Sequence, residues 1–453
     1  MCTQKHICLK GKIMYENTEG TSLTLKLIDF IDRSPTVFHA LENVSAILSA
    51  AGFTPLDPSK RFSLVPGEKY YVERGGSALI AFKIPHDISD PSFSIAAVHG
   101  DSPALKLKPS CETDAFGKYT RLSVEKYGGM ILQSFFDRPL SIAGRISFFK
   151  DGCIQSKNVA LDRDLLIIPS VPPHLGSIKE PSLSVDMLPL FSQNDSDITL
   201  SSLLAKASGI CKEDIISSDL FVCNRQKGAI IGSDGEFFCA PRIDDLQCAY
   251  SILEGLIESS DSDAFSVFAL YDNEETGSSS RQGAASSFLS DTLRRALLSL
   301  GKDEEDYLIA LESSFMISAD NAHAKHPNHP ELFDQQNVPV LNGGIVIKTN
   351  ASQKYTTDAV SASLTEMLCK RAEVPFQSYA NRADLAGGST LGNILVRQLP
   401  VCSADIGLSQ LAMHSCLETA GTYDPLFMMK LSKLFFETKF SLSNGKSYKM
   451  SNN

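Results

Sequence analysis

Short apolar runs that end in polar clusters set the pattern of this chain. Phe93–Val98 reads FSIAAV and ends in His99-Gly100-Asp101. Phe265–Tyr271 reads FSVFALY and ends in Asp272-Asn273-Glu274-Glu275. Phe315–Ser318 reads FMIS and ends in Ala319-Asp320. A short continuous apolar run bounded by turn residues predicts a strand buried on both faces, with a buried helical segment as the competing assignment. Ligands of open α/β sheets bind beyond the carboxyl ends of the strands. A histidine and several carboxylates recurring at that point three times therefore predict convergence on one site. Neutral imidazole and carboxylate are ligands that borderline divalent metals such as zinc accept.

Around these runs the period changes. Leu23, Leu25, Leu27, Ile28 and Ile31 predict a first helix. Ser34 and Pro35 offer the N-cap and first position of a second, with Val37, Phe38, Leu41, Val44, Ile47 and Leu48 on one face and Gly52 at its end. Lys69–Val72 and Ala78–Lys83 read as strands. From about Ser102 to Phe238, prolines and glycines punctuate short alternating segments such as Leu140–Phe149. The stretch Pro169–Pro189 is rich in Pro and Ser, and Asn194–Ile198 is polar. These features predict a β-rich insertion with long loops. From Ala240 strands and helices alternate again: Cys248–Ile257 reads as a helix after a turn at Pro241–Leu246, and Asp424-Pro425 as the cap of a closing helix, Leu426–Glu437. The expected organisation is a discontinuous α/β domain, residues 1–101 and 239–453, interrupted by a β-rich domain, residues 102–238.

Composition narrows the partners. The chain has 453 residues, 43% hydrophobic and 21% charged, which suits a globular protein of two or three domains with ample core. A net charge of −11 argues against nucleic acid or an anionic membrane as the main partner. An acidic substrate would need a local cation. The 11 cysteines include no CxxC pair, and reduced thiols in the cytoplasm are the simpler expectation. No run approaches the ~20 apolar residues of a membrane helix. The first 20 residues carry Lys5, Lys10 and Lys12 without an apolar stretch, so no secretory signal is expected, and translation could begin at Met1 or Met14.

The chemistry-bearing residues each have a plain alternative. His99 and Asp101, two apart at a strand end, share one side; one can bind a metal while the other adds a ligand or orients the ring. In Glu274-Glu275 one carboxylate can bind a metal while its neighbour faces a water as general base, although most Glu-Glu pairs are solvated turns. Asp320 or the pair Asp244-Asp245 could simply cap a helix. His414, before Cys416–Ala420, could be a structural histidine at a helix start. Together, two histidines, two lone aspartates and a Glu pair suffice for a dinuclear centre, with metals about 3.5–4 Å apart.

The motifs also occur in a recognisable order: His99-Gly100-Asp101-Ser102-Pro103, Tyr127-Gly128-Gly129, Phe136-Asp137-Arg138, Pro241-Arg242-Ile243-Asp244, Asp272–Ser278, Ser318–Ala324 with His326-Pro327-Asn328, Gly388–Gly392 and Ala412–Ser415. From about Leu23 onward the chain resembles the aspartyl aminopeptidases, metallopeptidase family eighteen, of the co-catalytic dizinc aminopeptidases. The resemblance implies a zinc-exopeptidase-like α/β domain, its mixed sheet flanked by helices, interrupted by a β-rich dimerisation domain. It implies two zinc ions per subunit, with manganese or cobalt as alternatives. His99 and Asp320 would hold one ion, Glu275 and His414 the other, and Asp244 would bridge them. Glu274 would be the general base acting on a bridging water, Asp101 would orient His99, and a cis peptide would follow Asp244.

It further implies peptide substrates with a free N-terminus, Asp or Glu preferred, and a homododecamer built from dimers. Lys348 would supply the cation for the acidic side chain, with a solvated surface lysine as the alternative. Tyr355 and His323 would line the pocket, and His174 in Pro173-His174-Leu175 would reach a neighbouring subunit's site. Two positions depart from the family pattern: Gly100, where relatives often have Thr, and Asp245, where Asn is common. A dinuclear hydrolase of other specificity (neutral aminopeptidase, deacylase or carboxypeptidase) and a non-catalytic self-assembling scaffold are the rival expectations.

Overall fold

The computed structural model of the protein describes residues 19–452 apart from Ser177 and Ala386. The two alternative starts, Met1 and Met14, and the three early lysines lie outside the described residues. The three apolar runs are neighbouring strands. Phe265–Tyr271 pairs in parallel with Phe93–His99, placing Tyr271 opposite His99. Phe93–His99 pairs in parallel with Phe315–Ala319, which in turn pairs with Cys402–Gly407. All seven residues of each of the first two strands are buried, as expected for strands covered on both faces.

These strands form the centre of a nine-stranded mixed sheet. Its order is Thr54–Leu56, Lys69–Arg74, Ala78–Lys83, Phe265–Tyr271, Phe93–His99, Phe315–Ala319, Cys402–Gly407, Ile345–Lys348, Phe376–Tyr379. Alternate residues enter two cores. Ala96, Val98, Phe268, Leu270 and Ile317 pack with helices Glu19–Arg33, Val37–Ala50, Ile243–Glu258, Ala359–Arg371 and Asp424–Phe436. Ile95, Ala97, Val267, Ala269 and Met316 pack on the other side with Phe288, Leu293, Leu297 and Tyr307. This period-two division is what makes the runs look uniformly apolar in sequence.

A second, six-stranded antiparallel sheet is built entirely from residues 104–224. Its order is Cys153–Ala160, Leu140–Lys150, Ile215–Asn224, Ala104–Ala115, Tyr119–Tyr127, Leu190–Gln193. It has its own core of Leu105, Leu122, Leu140, Ile142, Ile146 and Val222. Helix Leu200–Ser208 covers it, started by a capping box between Thr199 and Ser202. A third sheet of five strands joins Ala229–Ile231 and Phe237–Ala240 to Glu418–Gly421, Ser409–Leu411 and Ala322–His323. Phe237–Ala240, paired on one side with Ala229–Ile231, thus pairs on the other with Glu418–Gly421 from the last part of the chain, outside the insertion's own sheet.

Several local expectations need correction. The second helix begins at Val37 with Thr36 as N-cap, not at Pro35 after Ser34. The Ser34 side chain is buried and accepts a hydrogen bond from Asn43. Leu25, placed among the apolar positions of the first helix, is 51% exposed. The expected Pro241–Leu246 turn is present at the head of Ile243–Glu258, where Asp244 and Asp245 have non-helical dihedrals and the regular helix follows them. Cys416–Ala420 is not a helix start but leads into strand Glu418–Gly421. Asp424 does not cap the last helix. It is the first helical residue, and its carboxylate takes the backbone N–H groups of Asn342 and Gly344 instead. That helix does not close the chain either: the hairpin Thr438–Ser443/Ser447–Asn452 follows, turned by Asn444-Gly445 with both residues at positive φ.

Candidate metal centre

Parallel pairing in register brings the three polar clusters to one edge of the large sheet. His99 is the last residue of its strand and 1% exposed. Asp320 follows strand Phe315–Ala319, with its N–H bonded to the Ile406 carbonyl. After Tyr271 the chain passes through Asp272 and Asn273, which has positive φ, into a single 3-10 turn, Glu274–Thr276. Asp244 arrives from a different direction, at the start of helix Ile243–Glu258, where the Asp244–Asp245 peptide is cis. His414 sits at positive φ in the connection between strands Ser409–Leu411 and Glu418–Gly421.

Two triads result, and they share one carboxylate. His99 Nε2 lies 3.5 Å from Asp244 Oδ1 and 3.9 Å from Asp320 Oδ1. His414 Nε2 lies 3.4 Å from Asp244 Oδ2 and 3.5 Å from Glu275 Oε2. These spacings exceed a hydrogen bond. The three at 3.4–3.5 Å match atoms sharing one ion, since ligands about 2.0–2.1 Å from a tetrahedral zinc lie roughly 3.3–3.4 Å apart, and the His99–Asp320 spacing is longer. His99, Glu274 and Glu275 also bring ligand atoms within 4.8 Å of one another, so Glu274 faces the same space.

The donor set fits divalent cations. Asp244 Oδ1 and Glu275 Oε1 are buried without a hydrogen-bond partner, which is costly for carboxylate oxygens unless something else compensates them. Asp101, Asp244, Glu274, Glu275 and Asp320 face two imidazoles. The imbalance appears in the acidities. Burial pushes Glu274 up to about 8; His99 opposes this, and Asp320, Asp101 and Asp244 add to it. Burial and the Asp244 charge likewise raise Glu275. Burial would lower the His99 pKa, yet the carboxylates of Asp101, Asp244 and Asp320 hold it well above its ordinary value. Bound cations would remove this mutual repulsion.

The surrounding chain orients these groups. His99 Nδ1 lies 3.0 Å from the Asp101 main-chain carbonyl and 3.5 Å from its carboxylate. That carboxylate accepts the Tyr127 hydroxyl at 2.7 Å and the backbone N–H groups of Glu274 and Glu275 at 3.1 and 3.2 Å. Gly128, at φ +72°, follows Tyr127; a Cβ there would sit 3.0 Å from the Glu275 Cβ, so the chain can pass this close only as glycine. Ser102 donates to the Asp244 carbonyl, and Asn321 donates to the Ile243 carbonyl and to Gln410.

Of the remaining predicted residues, Lys348 is not a solvated surface lysine. It is 2% exposed, donates to the Asn321 carbonyl at 2.9 Å and lies 3.8 Å from Asp320 Oδ2. Its ammonium is 5.6 Å from the Tyr355 ring centroid. Burial opposes its charge, but Asp320, Tyr355 and Asp405 more than offset that and raise its pKa. His323 is exposed on the two-residue strand Ala322–His323, beyond Asp320. His174 lies on an exposed 3-10 turn, Pro173–Leu175, and no hydrogen bond or ion pair joins it to the cluster.

Sequence reasoning missed Glu418, which is 1% exposed. One of its oxygens accepts the Asp244 N–H at 3.0 Å and the other the His414 N–H at 2.7 Å. The available signal was that Glu418 is the single carboxylate between Asp405 and Asp424.

The family model for aminopeptidase I zinc metalloprotease (M18) matches residues 30–436. A "Probable M18 family aminopeptidase 2" of Clostridium novyi (strain NT) is 39% identical over 442 residues, covering 94% of this chain and 100% of the relative. Among solved structures, the cryo-EM structure of the Ape4 and Nbr1 complex superposes with a TM-score of 0.90 at 34% identity, covering 95% of this chain and 87% of that one. The S. cerevisiae mApe1 dodecamer superposes with a TM-score of 0.81 at 28% identity, covering 92% and 97%.

Proposed function

Since the chain belongs to the M18 family of zinc aminopeptidases, hydrolases that act as exopeptidases, we propose that it removes N-terminal Asp or Glu from peptides at a centre holding two zinc ions. His99 and Asp320 would hold one ion, Glu275 and His414 the other, and Asp244 both. The observation that carries this reading is the Asp244 carboxylate, with one oxygen facing each histidine. Bound zinc supplies Lewis-acid polarisation of a carbonyl oxygen and acidification of water. Manganese or cobalt would serve the same donor set.

The chain's own residues supply the rest. Glu274 takes a proton from the attacking water and returns it to the leaving amine. Its backbone N–H bond to Asp101 anchors it beside the ligands. Asp101 holds His99 with Nε2 toward the carboxylates. Lys348, buried and charged beside Asp320, offers the cation that an acidic side chain needs in a protein of net charge −11. Tyr355 packs against that ammonium, and His323 lines the approach.

The inserted domain, whose own sheet spans residues 104–224 and not the expected 102–238, acts as a dimerisation domain, in an assembly like the dodecamer of the yeast relative. His174, exposed in one subunit, then completes a neighbour's site. The nine described cysteines are free, as suits the reducing cytoplasm. Among the described residues no helix is long and apolar enough to cross a membrane.

The test is hydrolysis of Asp-, Glu-, Leu- and Lys-aminoacyl substrates, with and without a chelator followed by zinc add-back, for wild type and Lys348→Met. Chelator-sensitive cleavage favouring Asp and Glu is expected, with the acidic preference falling at least ~10-fold in the variant. A preference for Leu would reject the acidic pocket and keep the metal chemistry. Cleavage of substrates with a blocked N-terminus would point to a deacylase or carboxypeptidase instead.

A further inference from the structure

Glu418 opens strand Glu418–Gly421, which pairs with strand Phe237–Ala240 and sets Glu418 opposite Ala240. Four residues after Ala240 the chain reaches Asp244; four residues before Glu418 it holds His414. The two ligands are thus 170 residues apart in sequence, yet both lie beyond the same end of one short antiparallel strand pair. Their N–H groups converge on the same carboxylate, at 3.0 Å on Oε2 and 2.7 Å on Oε1.

We propose that Glu418 is a positioning residue for the metal on the His414 side. By accepting one backbone N–H on each oxygen, it sets the distance between the bridging Asp244 carboxylate and the His414 imidazole. Only a carboxylate can do this, because a glutamine would turn an NH2 donor against one of the two N–H groups. Retention of a buried carboxylate costs free energy that a purely packing role would not need. The clamp holds both Asp244 and His414 on the His414 side but only the shared Asp244 on the side of His99 and Asp320, so the effect falls mainly on the His414 half of the centre.

This inference rests on the two-zinc reading above, and the experiment separates their failures. Zinc retained per subunit is measured as a competing chelator is titrated against the assembled enzyme. Circular dichroism and unfolding of the metal-free form are followed in parallel. Wild type is expected to retain two equivalents over a wide chelator range. Glu418→Gln is expected to release one equivalent at roughly 10–100-fold lower chelator concentration, with the other shifted markedly less.

Release of both equivalents as in wild type, or equal weakening of both, overturns the proposal. A wild type that never holds two equivalents overturns the two-zinc reading instead. If Glu418→Gln fails to assemble, Glu418→Asp decides: it keeps both acceptors on a shorter stem and should again weaken one equivalent selectively. Wild-type retention or parallel loss in that variant overturns the proposal as well.

Discussion

At the scale of single residues, the sharpest division of labour lies in Glu274-Glu275. Both carboxylates are anchored through their backbone N–H groups by Asp101, yet only Glu275 stands in the triad with Asp244 and His414. Glu274→Gln should therefore leave zinc content nearly intact while kcat drops by about 10²–10⁴-fold, the usual contribution of a general base. Near-normal turnover with two zinc ions retained would remove Glu274 from that role. A second residue-scale effect lies away from the centre. Burial holds the His39 pKa down, to about 4, with Arg242 acting in the same direction and Glu42 against it. The unfolded chain takes up that proton near the ordinary value of 6.5. Stability should thus be fully present above about pH 6.5 and decline as pH falls toward 4. His39→Gln should flatten that slope, measured as Tm against pH; parallel curves would show that His39 does not drive it.

At the scale of elements, the helix that delivers Asp244 depends on a close approach to its neighbour. Gly255 in Ile243–Glu258 faces the last helix, Asp424–Phe436. A Cβ there would collide with the Ser432 hydroxyl and lie 2.9 Å from both Lys433 N and Met429 O. Two backbone atoms are among those contacts, so side-chain rotation cannot relieve them. Gly255→Ala should cost about 1–3 kcal/mol by overpacking, read from chemical denaturation, although alanine is the better helix former. No loss would mean that the two helices separate at little cost. The elements also show what local pattern can convey. The central strands were legible because each residue is buried on one face or the other, which leaves a solid apolar run. Asn444-Gly445 was an equally local signal for a hairpin, and it lay beyond the helix taken to end the chain. The five-stranded sheet was not legible, because strands as short as Ala322–His323 have no period of their own and are defined only by their partners.

At the scale of the whole molecule, residues 104–224 expose apolar side chains that a single chain leaves uncovered. Phe116 is 89% exposed and Ile154 65%. Ile154 pairs directly with Phe149, itself 52% exposed, and lies on Cys153–Ala160, an edge strand of the six-stranded sheet. An unpaired edge carrying apolar residues is a ready surface for a second copy. Phe149→Glu combined with Ile154→Lys should shift the assembly to a smaller species in light scattering, with the secondary structure retained. An unchanged mass would show that this edge is not a contact between copies. The same segment reaches back to the centre: the Ile131 N–H bonds the His414 carbonyl, and Cys416 packs in the core of the six-stranded sheet. The six-stranded sheet and the His414 side of the cluster are therefore mechanically connected.

The amino-acid sequence by itself determined five of the nine strands of the large sheet, the β-rich character of the insertion and the candidate ligands, because burial on alternate faces and polar residues at strand ends are local properties. Which carboxylate lies between the two histidines, and that Glu418 holds their backbones, was decided only by tertiary structure. Asp244, His99 and His414 are far apart in the chain. Their separation to within a few ångströms is set by strand register and by hydrogen bonds between distant segments, which no single stretch of sequence contains.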